Sequence, residues 1–91
     1  MPFAHYRVTG RVQRVGFRWF VREKARRLDL AGWVRNLTDG SVEIAAAGHE
    51  ENLHLLHQAI RAGPAGASVA EVQALPIDRL GDLPKPFAMI R

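Results

Sequence analysis

Gly10, Gly16 and Arg18, in the stretch GRVQRVGFRWF at residues 10–20, are spaced as a loop that could close around an anion. The stretch follows a strand-like alternation and precedes a helical one, so it joins a strand end to a helix start. A helix start leaves backbone NH groups unpaired and carries partial positive charge, and a tight loop leading into it can present several donors to one oxyanion. Gly16 has no side chain to hold a ligand away from the backbone. Arg18, in the first helical turn, carries a planar guanidinium that can meet two phosphate oxygens together. These parts would make a phosphate nest that needs no metal. The Gly-x-x-x-x-Gly-Lys-Ser/Thr and Gly-x-Gly-x-x-Gly spacings of common nucleotide loops are both missing. As a bare pattern, the stretch also fits an ordinary turn followed by a surface Arg.

The elements that would position this loop are legible in the periodicity. PFAHYRVTG alternates Ala4, Tyr6 and Val8 with His5, Arg7 and Thr9, the period of a half-buried strand ending at Gly10. Phe17, Phe20, Val21, Ala25 and Leu28 then recur at helical spacing, which predicts an amphipathic helix over 17–29. GWVRNLTDGSVEIAAAG reads as two strands joined by a tight hairpin at Asp39-Gly40, a pair suited to positive φ. A second helix from about His49 to Arg61 carries Leu53, Leu56 and Ile60 on one stripe, and AGPAGA is a loop. SVAEVQAL alternates as a fourth strand, RLGDLPKP is an exposed connection, and FAMIR adds a short edge strand. The order βαββαβ plus a short C-terminal strand predicts an α+β, ferredoxin-like α/β sandwich: an antiparallel sheet with two helices on one face. That scaffold hosts many functions, so function rests on the site.

Ninety-one residues with interleaved apolar positions suit one domain, residues 1–91, with a single core. No cysteine is present, which excludes disulfides and thiolate metal sites and leaves packing to hold the fold. There is neither a signal-peptide pattern nor an apolar run near the roughly 20 residues of a membrane span, so a soluble, cytoplasmic protein is expected, and its small size and lack of a long apolar edge lead to the expectation of a monomer. Residues 1–35 hold nine Lys/Arg against two Asp/Glu, whereas residues 36–91 hold four against seven. The positive charge is therefore local. It fits nucleic acid, a membrane surface or a small phosphate or carboxylate compound, and equally a solvated basic helix face.

GRVQRVGFR followed by GWVRNLTDGSVE closely resembles the two signature segments of the acylphosphatases. The spacing between them, the later AGPAGASVAEV and the closing FAMIR also match, so the resemblance runs from about residue 3 to residue 91. It implies hydrolysis of small acyl phosphates to carboxylate and inorganic phosphate, with no metal and no cofactor. It places the phosphate-binding loop at Gln13, Arg14, Val15, Gly16 and Phe17, the phosphate clamp at Arg18 and the water-orienting amide at Asn36. Residue by residue, Arg18 and Asn36 are the implied catalytic pair. Such chemistry asks for positioning and charge stabilisation more than for a strong base. Alternation puts Asn36 with Val34 on one face of the second strand, near its end; a turn-capping Asn would read the same way. Arg14 stands where the family usually has a second loop glycine. Either its backbone is strained by a positive φ, or its side chain points outward and adds positive potential at the mouth; the intact remaining motif favours the second.

Other constellations lead elsewhere. In HEENLHLLH, His54 and His57 lie one helical turn apart, but the zincin spacing fails and no clear third ligand follows. Trp19, Phe20 and Trp33 could stack bases beside Arg22, Arg26 and Arg27, yet the third strand carries a glutamate and no aromatic, unlike RNA-recognition domains, and no nucleic acid is expected. The alternative function is a non-catalytic phosphate- or RNA-binding module on the same fold, including one cut from a longer protein. The FAMIR ending, at the family's natural end, favours a free-standing enzyme.

Overall fold

A computed structural model describes residues 2–78 and 80–91. The elements run β1 (Phe3–Arg11), α1 (Phe17–Arg27), β2 (Ala31–Asn36), β3 (Val42–Ala47), α2 (Glu50–Ala62), β4 (Ser68–Ala74) and β5 (Ala88–Ile90). Alternation along β1 and β3 sends Ala4, Val8, Val42, Ile44 and Ala46 to one side, where they meet Phe17, Val21 and Ala25 of α1 and Leu53, Leu56 and Ile60 of α2. The result is a ferredoxin-like α+β sandwich, with the sheet in the order β4-β1-β3-β2-β5. The four long strands pair antiparallel, whereas β5 docks parallel to β2, with Val34 opposite Met89, and makes the sheet mixed. Among the described residues, no helix is long and apolar enough to cross a membrane.

Two element ends depart from the periodicity, each for a local reason. Helix α1 stops at Arg27 rather than 29 because Asp29 turns left-handed at φ 56°. Asp29 NH then bonds Arg26 O at 3.1 Å and Leu30 NH bonds Ala25 O at 3.0 Å, which closes the helix in a Schellman motif. The hairpin between β2 and β3 is looser than a two-residue turn. Leu37 NH donates to Ser41 O at 2.8 Å around Thr38, Asp39 and Gly40, and of the Asp39-Gly40 pair only Gly40 has positive φ, at 93°. Asp39 instead accepts from the Ser41 hydroxyl, pairs with Arg7 and accepts from Ser41 NH at 3.0 Å, and together these hold its carboxyl well below the usual carboxylate range.

On the sheet face away from the helices, Glu43 is buried between the His5 imidazole and the Arg35 guanidinium. Its carboxylate meets His5 Nε2 at 2.6 Å and accepts from Arg35 Nε at 2.7 Å, while Arg35 lies over the Trp33 ring at 5.3 Å. Burial alone would raise the Glu43 pKa, but the hydrogen bonds from His5 and Arg35 win and hold it below its ordinary 4.5. A carboxyl whose folded pKa is depressed adds stability that is complete above the unfolded value and is lost as pH falls through the folded one. Stability is therefore expected to decline below about pH 4.5, with Asp39 adding to the same limb. Denaturant midpoints between pH 7 and pH 3 should fall less steeply in Glu43→Gln. An identical acid limb in the variant would exclude Glu43 as a source of it.

Candidate active site

The corner between β1 and α1 is built from the strand outward. The β1–β4 register shifts between Thr9 and Gly10, an irregularity that turns the chain out of the sheet and into the loop at residues 12–16. Val12 and Phe17 are buried and pin both ends of the loop to the core. Gly16 is the N-cap of α1 at φ 74°, a left-handed conformation in which a side chain would be strained. A Cβ added there would meet no protein atom within 4 Å, so the backbone is open to a ligand. No side chain caps α1 and its first turn holds no acidic residue. Its leading NH groups and partial positive charge are thus uncontested.

A cleft of about 270 Å³ opens at this corner. Its polar side consists of Arg14, Gly16, Arg18 and Asn36, and its apolar side of Val12, Phe17, Trp19 and Met89. Arg18 is half-buried, and its Nη1 donates to Ile90 O of β5 at 3.2 Å, which leaves the remaining NH groups of the fork for another acceptor. Asn36 ends β2 on the inward side shared with Val34, and its Oδ1 is buried without a protein partner, alone among the described side chains. A buried acceptor left without a partner costs about 1–3 kcal/mol, and this oxygen is free to accept from a molecule in the cleft.

Gln13 and Val15 contribute differently from the residues that line the cleft. The Gln13 amide donates to Leu37 O and to Ser41 O, each at 2.8 Å, and so fastens the loop to the hairpin immediately after Asn36. Val15 is half-buried against the core. Either can offer an anion only its backbone. Arg14 combines both readings of its position: its φ is 63°, and its exposed side chain borders the cleft. A left-handed non-glycine residue costs about 1–2 kcal/mol, and glycine's extra unfolded freedom returns about 0.5–1 kcal/mol of that. Arg14→Gly is accordingly expected to be more stable by about 0.5–1 kcal/mol, and to bind phosphate more weakly with a shallower salt dependence. Thermal melting and phosphate inhibition at two ionic strengths check this; lower stability would show that the left-handed backbone is not a strain.

Trp19 and Met89 were not singled out as cleft residues by the sequence pattern. Trp19 carried a signal, since it sits off the apolar stripe of α1 directly beside Arg18. Met89 carried none, because only the docking of β5 brings it there. The two histidines on α2 go separate ways: His57 stacks on Tyr6 with ring centroids 5.0 Å apart, while His54 is exposed. Burial, then Arg61 and His54, keep the His57 pKa below its ordinary value. Among the described residues, no three His, Asp or Glu side chains gather as metal ligands. Phe17 belongs to the core and Phe20 packs against it, and Trp33 is occupied by His5 and Arg35.

The fold and this corner together define an α+β sandwich protein with an uncapped glycine loop and an arginine-lined cleft at the start of its first helix. Residues 4–89 match the acylphosphatase family, and the chain belongs to that family. It is 44% identical over 81 residues to an acylphosphatase of Rhizobium etli, covering 89% of this chain and 85% of that one. An acylphosphatase of Koribacter versatilis is 53% identical over 68 residues, which span 75% of this chain and 62% of the relative. The crystal structure of acylphosphatase from Bacillus subtilis superimposes with a TM-score of 0.91 at 36% identity, covering all of both chains. The same fold also occurs within a longer protein, HypF of T. kodakarensis, where the match has a TM-score of 0.83 at 32% identity and covers 96% of this chain but 11% of that one. The protein is thus an acylphosphatase, an enzyme that hydrolyses acyl phosphates.

Proposed function

We propose that the phosphoryl group of a small acyl phosphate occupies the cleft at the start of α1, held by the Arg18 guanidinium and by backbone NH groups of residues 13–18. Asn36 Oδ1 accepts a hydrogen bond from the attacking water and so directs an oxygen lone pair at phosphorus. The water oxygen bonds to phosphorus as the bond to the acyl oxygen breaks, and the carboxylate leaves with the electron pair. The second water proton passes to a phosphoryl oxygen, so that a dianionic substrate yields carboxylate and dihydrogen phosphate. A carboxylate is a good leaving group, and the reaction therefore asks for positioning and charge stabilisation rather than for a strong base.

The observation that carries this reading is the meeting, at one cleft, of the donor-only Arg18 guanidinium from α1 and the unpartnered acceptor Asn36 Oδ1 from β2. The lining has two cationic side chains and no carboxylate, imidazole or thiol, a donor set that suits an oxyanion and not a metal ion. Hydrolysis is accordingly metal-independent, with inorganic phosphate competing for the same cleft. Turnover of benzoyl phosphate should persist in excess chelator; loss of turnover that added metal restores would refute the metal-independent mechanism. The chain acts as a monomer in the cytoplasm. Among the described residues the other large exposed apolar side chains are Phe3 on β1, Leu55 on α2 and Ile77 in the connection after β4, which form no single element face, and sedimentation velocity tests the monomer.

A further inference from the structure

Apart from the Trp19 indole NH, the apolar side chains of the cleft offer no strong hydrogen-bonding group to phosphate or water. Trp19 is 56% exposed and Met89 41% exposed, two of five large apolar side chains that the described surface leaves open, and both border the same cleft as Arg18. An indole in that position is not explained by packing, since the buried residues of α1 are Phe17, Val21 and Ala25. Nor does phosphate alone account for the space. A water's share of liquid volume is about 30 Å³, and a cleft of about 270 Å³ is several times what the five heavy atoms of a phosphate displace. Trp19 also borders a smaller groove of about 130 Å³ with Phe20, Glu23, Lys24 and Arg27, so its ring stands as a wall open to both sides.

We infer that Trp19, with Met89 beside it, receives the acyl portion of the substrate and selects acyl phosphates whose acyl group is aromatic or bulky and apolar. This deepens the proposed phosphate site and rests on it. A phosphoryl group fixed beside Arg18 carries its acyl group by a covalent bond, so an apolar wall on the same cleft competes with water for whatever that group exposes. An aromatic acyl group can lie against the indole and shed apolar surface, and the thioether adapts to the ring edge. An acetyl group is too small to cover either side chain. Trp19 is therefore a specificity residue, and it acts through binding of the acyl group rather than through the displacement at phosphorus.

The test compares kcat/KM for benzoyl phosphate and acetyl phosphate, each divided by its uncatalysed hydrolysis rate, in wild type, Trp19→Ala, Trp19→Phe and Met89→Ala, with Arg18→Gln alongside. The benzoyl-to-acetyl ratio is expected to fall about tenfold in Trp19→Ala, mainly through KM. Trp19→Phe should keep most of the ratio, and Met89→Ala should lower it by less than Trp19→Ala. A ratio unchanged in Trp19→Ala, or an equal fall for both substrates, would overturn the inference. Failure of the underlying site reads differently: Arg18→Gln would then hydrolyse both substrates normally. Failure of the acyl assignment alone leaves turnover dependent on Arg18 and removes only the discrimination.

Discussion

Arg18→Gln is expected to lower kcat/KM for benzoyl phosphate by about 10³-fold or more while the chain stays folded. Loss of one preorganised donor to a developing oxyanion costs about 10²–10³ in rate, and arginines at transferring phosphoryl groups are worth about 10³–10⁵. Gln removes the charge and the fork at once. The side chain is not part of the core, and the hydrogen bond it loses to Ile90 O is worth about 1 kcal/mol of stability, so an unfolded variant is not the expected outcome. Arg18→Lys separates charge from geometry: it restores the cation without the two-pronged contact and should recover only part of the loss. Single-turnover and steady-state rates beside a thermal melt decide the matter. Normal turnover in a folded Arg18→Gln would remove Arg18 from the mechanism.

The second large effect belongs to Asn36. Asn36→Ala should lower kcat by about 100-fold or more with little change in KM, because in the proposed mechanism the interaction it removes serves the attacking water and not the bound substrate. Stability should not fall in parallel. Deleting a buried oxygen that has no protein partner removes an uncompensated acceptor, whereas deleting a satisfied turn-capping Asn would cost about 0.5–2 kcal/mol. The two roles left open by the residue's place before Thr38-Asp39-Gly40 therefore separate by calorimetry as well as by kinetics. A destabilised but fully active Asn36→Ala would assign it to the turn. Asn36→Asp should also be slow, since a carboxylate in the same place repels the phosphoryl oxygens.

The loop, the first helix and the hairpin were readable because each is written in local chemistry. Gly16 before an apolar stripe marks a helix start, and the alternation of Val34 and Asn36 places the amide inward. The length of the hairpin loop was not readable in the same way. Asp39-Gly40 suits a two-residue turn, but the Asp39 side chain finds Ser41 and Arg7, and a three-residue loop that lets it do so prevails. The end of α1 was missed by two residues because a left-handed Asp29 is uncommon, and the helix nonetheless closes there through its own carbonyls. Gln13 read as a member of the cradle through its place in the motif. Its side chain proves to be the fastening between the loop and the hairpin, 24 and 28 residues away along the chain at Leu37 and Ser41.

By itself, the amino-acid sequence determined the order of elements, the faces they bury and the motif residues at the start of α1, because these follow from periodicity and side-chain type within a few residues. Tertiary structure alone decided which distant groups meet them. Ile90 O reaches Arg18, Met89 lines the same cleft as Trp19, and Glu43 gathers His5 and Arg35, because β5 docks parallel on β2 and β3 lies between β1 and β2. Those contacts join residues far apart in the chain, and no local preference encodes them: they follow from burying two helices on one face of a single sheet.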